Sequence, residues 1–306
     1  MKKSNKKKWK MQELRSDKIL DSLILIIMIF LFLIAVYPLW FVVIASFSNP
    51  TQVVAGKVIL WPIDFNLEGY RRVLTYEKLW TGYRNTIIYT LSHTVVATFI
   101  TLLTGFALSR KSLPGRHGIT LFMGFTMYFS GGMIPSYLLL KNLGFVGNQF
   151  LYVLIGTVSV YNVIIVRTFM ESNISDTLVE AAQIDGCNMT RFFFSIVLPL
   201  SPAIIAIMAL FYAVGQWNSW FNAMLYLQDN QMPLQNVLRN ILSTSSLHAE
   251  MGTDSAIGSS DSDAQMILVE SMRYAVIIVS SLPVMCLYPF VQKYFIKGIM
   301  IGAIKG

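Results

Sequence analysis

The chain has 306 residues, 55% of them hydrophobic and only 13% charged, with a mean hydropathy of +0.57. That composition excludes an ordinary soluble domain and marks a membrane protein. The formal charge of +8 gathers in the N-terminal MKKSNKKKWK and beside apolar runs, where it sets membrane topology. No basic stripe interleaved with aromatics supports a nucleic-acid partner.

Residues 1–18 form a basic segment expected in the cytoplasm. A spanning helix needs about 20 mostly apolar residues, and six windows meet that requirement. The first, Ile19–Phe47, is too long for a signal-peptide core and no small-residue cleavage site follows it, so it is expected to remain as an anchor. Tyr83–Ser109, Gly118–Leu140, Asn148–Met170, Ile196–Trp217 and Ser271–Phe295 follow. The predicted fold is therefore all-α and polytopic, with a transmembrane domain over 19–297 and both termini cytoplasmic. Alternation then places Arg110, Lys111, Arg116, Arg167, Arg191, Lys293, Lys297 and Lys305 inside, as the positive-inside rule requires. An outer loop over about 228–270 carries Asp254, Asp261, Asp263 and Glu270 against the lone Arg239. The first outer loop, with Lys57, Arg71, Arg72 and Lys78, runs against the rule. No internal duplication signals inverted repeats.

In the second span Ala97, Thr101, Gly105 and Ser109 stack small side chains on one helical face, which suits close helix packing. His93 continues that face, either as a hydrogen-bonded interface residue or as a proton relay. The third span contains YFSGGMIPSY, whose Gly131, Gly132 and Pro135 weaken the helix. Broken backbone at that depth survives beside protein or a wet cavity, so Tyr128, Phe129 and Tyr137 are candidates to line a path, with a kinked, packed helix as the alternative. At the outer end of the fifth span, GQWNSWFNAMLYL offers Trp217 and Trp220 to sugar faces and Gln216, Asn218 and Asn222 to hydroxyls. The same tryptophans also suit an interfacial belt.

Between the fourth and fifth spans lies a polar segment, about 175–190. Ser175 is positioned to cap a helix through DTLVEAAQID, with Ile174, Leu178, Ala181 and Ile184 as its apolar stripe and Gly186 as its stop. Asn188 or Thr190 caps the next helix, and Pro199 and Pro202 kink it as it enters the membrane. Ala181 and Ala182 give a flat docking face, while Glu180 and Asp185 present charges to a basic partner.

Glu180-Ala181-Ala182, three residues, Gly186, nine residues and Ile196-Val197-Leu198-Pro199 resemble the EAA signature of permease subunits from binding-protein-dependent ABC importers. The final KYFIKGIMIGAIKG is similar to the tail of maltose-type sugar permeases, and FSGGMIPSYLLL to a branch linked to complex oligosaccharides. The resemblance covers essentially the whole chain. It implies a type I ABC importer permease fold in a bacterial plasma membrane. It also implies a coupling helix in which Glu180 and Asp185 meet an ATPase, Ala181 and Ala182 pack closely, Gly186 turns, and Leu198 and Pro199 complete the motif. The tail over 298–306, with Gly298, Gly302, Lys305 and Gly306, would insert between two ATPase subunits. The implied partners are a second, non-identical permease, an ATPase dimer holding ATP and Mg2+, an extracellular solute-binding protein and membrane lipid. No cofactor and no enzymatic activity are expected in this chain.

The chain lacks GxxxxGK[ST], the phosphate-cradling loop; Gly56-Lys57-Val58 is only a fragment of it. An ion-coupled secondary transporter would need midplane carboxylates or charge pairs, and none appears in the spans. A membrane enzyme would need convergent acids, bases or metal ligands, whereas His93, His117 and His248 fall at different depths. An ABC permease for a non-sugar solute remains an alternative at this level.

Overall fold

A computed structural model describes residues 15–251 and 272–286, and all regular structure among them is helical. The N-terminal part comprises α1 (Arg15–Ser46), α2 (Pro50–Val54), α3 (Glu68–Thr75) and α4 (Glu77–Ser109). Then come α5 (Arg116–Tyr128), α6 (Met133–Asn142), α7 (Gln149–Leu154), α8 (Val160–Asn173), α9 (Asp176–Ile184) and α10 (Met189–Phe192). The chain continues through α11 (Leu198–Leu200), α12 (Pro202–Trp217), α13 (Phe221–Tyr226), α14 (Leu234–Met251) and α15 (Met272–Cys286).

Two of these are long and apolar enough to cross a membrane, α1 from Ile19 onward and α4. Along α1 the apolar side chains from Ile19 to Leu39 are mostly exposed, and burial begins only near Ile44 and Ala45. A helix apolar on all sides fits a lipid environment. By contrast α4 is the spine of the fold, flanked by α8, α12 and α14.

The small-residue face of α4 explains how close those neighbours come. A Cβ on Gly105 would lie 2.5 Å from Val166 Cγ1 on α8, and Thr101 bonds the Tyr212 hydroxyl of α12 at 2.6 Å. Ala97 and Thr101 are fully buried. His93 Nδ1 lies 2.8 Å from the Val153 carbonyl, which makes it an interface hydrogen-bonding residue. Two apolar clusters sit near opposite ends of α4: Leu79 joins Trp217, Leu234, Leu238, Ala275 and Val276 in one, and Leu102 and Phe106 join the other. At about 1.5 Å per residue they are separated by roughly 35 Å along the axis.

Three spans depart from continuous helices. The third breaks between α5 and α6 with Gly132 at φ +85°, and Pro135 falls in the first turn of α6, where its missing N–H leaves no bond unmade. The fourth is interrupted too. After α7, Gly156 adopts φ +77°, and Ser159 Oγ then accepts the Asn162 N–H to start α8. Apolar content alone conceals that break, because Gly156 and Ser159 interrupt the helix without adding charge. In the fifth, α10–α11 and α12 meet at 86° around the buried Ser201. This is far sharper than a kink. Pro199 has no N–H for the Ser195 carbonyl, a π turn over Phe193–Val197 adjusts the register, and Pro202 opens a new helix.

The expected outer loop begins differently as well. A 3-10 turn at Asp229–Gln231 leads into α14, whose Leu234 N–H donates to Thr86 Oγ1 at 2.8 Å. Gly82 permits this approach, since a Cβ there would lie 3.2 Å from the Leu234 backbone.

Candidate functional site

The segment after α8 is a capped helix and a sharp turn. Ser175 Oγ accepts the Leu178 N–H at 3.3 Å to open α9. At its end the Cys187 N–H bonds the Ala182 carbonyl at 2.9 Å and the Gly186 N–H bonds Gln183 at 3.0 Å. These paired bonds form a Schellman termination, which needs the left-handed Gly186, here at φ +74°. Asn188 Oδ1 then accepts the Arg191 N–H at 2.8 Å to open α10, so Asn188 is the cap rather than Thr190.

The buried face of α9 differs from the expected stripe. Val179 and Ala182 are buried beside partly buried Leu178, whereas Ala181 is exposed and Ile184 is 86% exposed. Ala181 and Ala182 therefore do not share an outward face: Ala182 packs within the chain. The outward face presents Glu180, Ala181, Ile184 and Asp185. Behind it, Val179 and Ala182 join one cluster with Phe106 of α4, Val166 and Met170 of α8, Phe192 and Phe193, and Ile204 and Met208 of α12. Leu198 packs against this cluster, while Pro199 is exposed.

Arg110, which topology alone singles out only as an inside charge, ties this junction together. Its side chain is buried and donates through Nη2 to the Met170 carbonyl at 3.3 Å and the Ile174 carbonyl at 3.2 Å, where α8 ends. A cation there complements the negative end of the helix. Asp176, in the first turn of α9, lies 2.9 Å from Lys111 Nζ and 3.8 Å from Arg110. The Lys111 hydrogen bond, followed by the Lys111 and Arg110 charges, holds the Asp176 carboxyl below its usual range, so it is ionised at neutral pH. Glu171 pairs with Arg167 at 3.1 Å and Arg116 at 3.5 Å on the same rim.

At the other end of the molecule, a cavity of about 880 Å³ opens between the end of α12, α14 and α15. Trp217, Asn218 and Trp220 line it with Arg239, Arg273 and Ser281. Trp217 also belongs to the adjoining apolar cluster and is buried, so it is a packed wall residue rather than part of an exposed belt. The Arg239 guanidinium lies 3.7 Å from the Trp220 ring centroid. The other candidate path residues lie elsewhere. Gln216 and Asn222 are outside the cavity lining, Tyr128 is exposed at the end of α5, and Tyr137 stacks on Tyr226. Gly298, Gly302, Lys305 and Gly306 fall outside the described residues. Arg239, the lone base of the expected acidic outer loop, lies instead on α14 in this wall, and Arg273 joins it from α15.

Comparison with known proteins gives a consistent picture. The chain is 38% identical over 95% of its length, and 99% of the relative, to the polygalacturonan/rhamnogalacturonan transport system permease protein YtcP of Bacillus subtilis. It is 34% identical to the protein LplC of the same organism, over 89% of this chain and 90% of that one. A solved structure of a bacterial ABC transporter involved in import of the acidic polysaccharide alginate matches with a TM-score of 0.83. That match has 31% identity and covers 93% of this chain and 99% of the other. No family model matches.

Proposed function

This chain belongs to the sugar and oligosaccharide permeases of ABC importers, and on that footing we propose that it forms a translocation path with a second, non-identical permease, driven by separate ATPases through α9. The carrying observation is the junction itself. A helix with an outward face of Glu180, Ala181, Ile184 and Asp185 is fixed by its inward face to the ends of α4, α8 and α12. A force applied to the outward face reaches three membrane elements through one packed cluster, because close-packed interiors transmit displacement.

In this reading Glu180 and Asp185 contact the ATPase, Gly186 sets the turn, Ala182 and Leu198 support the joint from behind, and Pro199 breaks the helix that follows. The ATPases hold the ATP and Mg2+, and this chain performs no chemistry. A solute-binding protein delivers cargo on the outer side, and both termini face the cytoplasm. The names of relatives specify polygalacturonan/rhamnogalacturonan, and alginate in the case of the solved structure. An oligosaccharide is the cargo that agrees with both.

Gly186→Val tests the coupling role. A Cβ there meets open space, but the backbone sits at φ +74°, where a β-branched residue is strained by about 1–3 kcal/mol. We expect normal membrane abundance with reduced ATPase copurification and reduced oligosaccharide-stimulated ATP hydrolysis. Unchanged copurification and hydrolysis would remove α9 from the coupling path.

A further inference from the structure

Resting on the oligosaccharide-import reading, we propose that the cavity between α12, α14 and α15 binds a carboxylated sugar unit, with Arg239 as the residue that receives the carboxylate. The lining contains two guanidiniums, Arg239 and Arg273, and no carboxylate among its described residues. Arg239 supplies a fixed positive charge, which attracts a ligand of the opposite sign. The volume of about 880 Å³ is sufficient for a short oligosaccharide, in the usual range for small-molecule sites.

The posture of Arg239 narrows the chemistry. Its guanidinium lies 3.7 Å from the Trp220 ring centroid, and among the described residues no carboxylate lies within ion-pair distance of it. Stacking uses the face of a guanidinium and leaves its edge N–H donors available, in the planar fork that matches a carboxylate in two bonds. Trp220 is itself braced edge-on by Phe221 at 5.4 Å, which orients the platform. Asn218, Gln235, Ser243 and Ser281 supply polar groups suited to sugar hydroxyls, and Leu238, Ile277 and Val284 supply apolar wall. A uronic acid carries the carboxylate that the Arg239 fork matches in two bonds, and a neutral sugar does not.

The test uses the complete transporter in nanodiscs, with its partner permease and ATPases. Binding of trigalacturonic acid is compared with that of its trimethyl ester, which removes the charges and keeps the ring. We expect the wild type to prefer the acid, with the preference weakening as salt rises, and Arg239→Gln to reduce the acid-to-ester affinity ratio about tenfold or more. An unchanged melting temperature in the variant separates this from misfolding, and Arg239→Lys should recover only part of the ratio because it restores charge without the fork. Equal binding of acid and ester by the wild type would overturn the proposal and leave the importer reading standing, as would a preference that survives Arg239→Gln. If neither these compounds nor a panel of neutral oligosaccharides binds, and none stimulates ATP hydrolysis when the solute-binding protein is added, the importer reading fails and this inference falls with it.

Discussion

Ile184 shows how one residue satisfies two readings of the same pattern. In a nine-residue helix, Leu178, Ala181 and Ile184 keep helical spacing, and so do Leu178, Val179 and Ala182. The fold buries the second set and leaves Ile184 86% exposed. Isolated surface apolar side chains are ordinary, but this one sits between Glu180 and Asp185 on the face proposed to meet the ATPase. Ile184→Asp is therefore expected to weaken ATPase association about tenfold or more, through lost apolar burial and added charge. Its melting temperature as a free permease should barely move, because little of the side chain is packed. An affinity titration on detergent-purified subunits reads the first effect, and a thermal melt the second. The start of this helix at Ser175, its stop at Gly186 and the start of the next at Asn188 were legible because each acts through local backbone geometry. The buried face was not, because apolar residues on two sides leave the choice to partners distant in the chain.

At the level of the helix, α4 carries the same distinction. Its stripe of Ala97, Thr101, Gly105 and Ser109 announces close packing, and the structure supplies the neighbours, α8 at Gly105 and α12 at Thr101. Gly105→Val would set its branched side chain against Val166, with the first carbon already 2.5 Å from Val166 Cγ1 and 3.1 Å from the Arg167 backbone nitrogen. Separation of the two helices is expected to cost about 1–3 kcal/mol, visible as a lower melting temperature in detergent and lower membrane abundance. The breaks in the third and fifth spans were foreshadowed by glycines and prolines. The break at Gly156 was not, because hydropathy averages over a window and is blind to one left-handed residue. The Arg110 junction was equally hidden, since its acceptors are the Met170 and Ile174 carbonyls, which any sequence supplies.

Across the whole molecule, the α9 junction and the arginine-lined cavity lie toward opposite ends of α4, which sets a direct test of orientation. In a Cys187→Ser, Cys286→Ser background, a cysteine at Ile184 should react with a membrane-impermeant thiol reagent only from the cytoplasmic side. A cysteine at Asn222 should react only from outside, and labelling of both from one side would refute the proposed topology. The membrane class and the position of the α9 segment could be read from apolar runs and charge. The cavity could not, because its walls come from residues near 217, 239 and 277 that only folding brings together. In the proposed coupling, the corner at Ser201 would link these two regions. Its two arms meet at 86°, and Phe193 and Val197 on one side share a cluster with Ile204 and Met208 on the other. Such a braced right-angle joint would act as a bell crank: a thrust along the short arm would emerge as a sideways sweep of the long one, and that arm ends at Trp217, in the wall of the cavity.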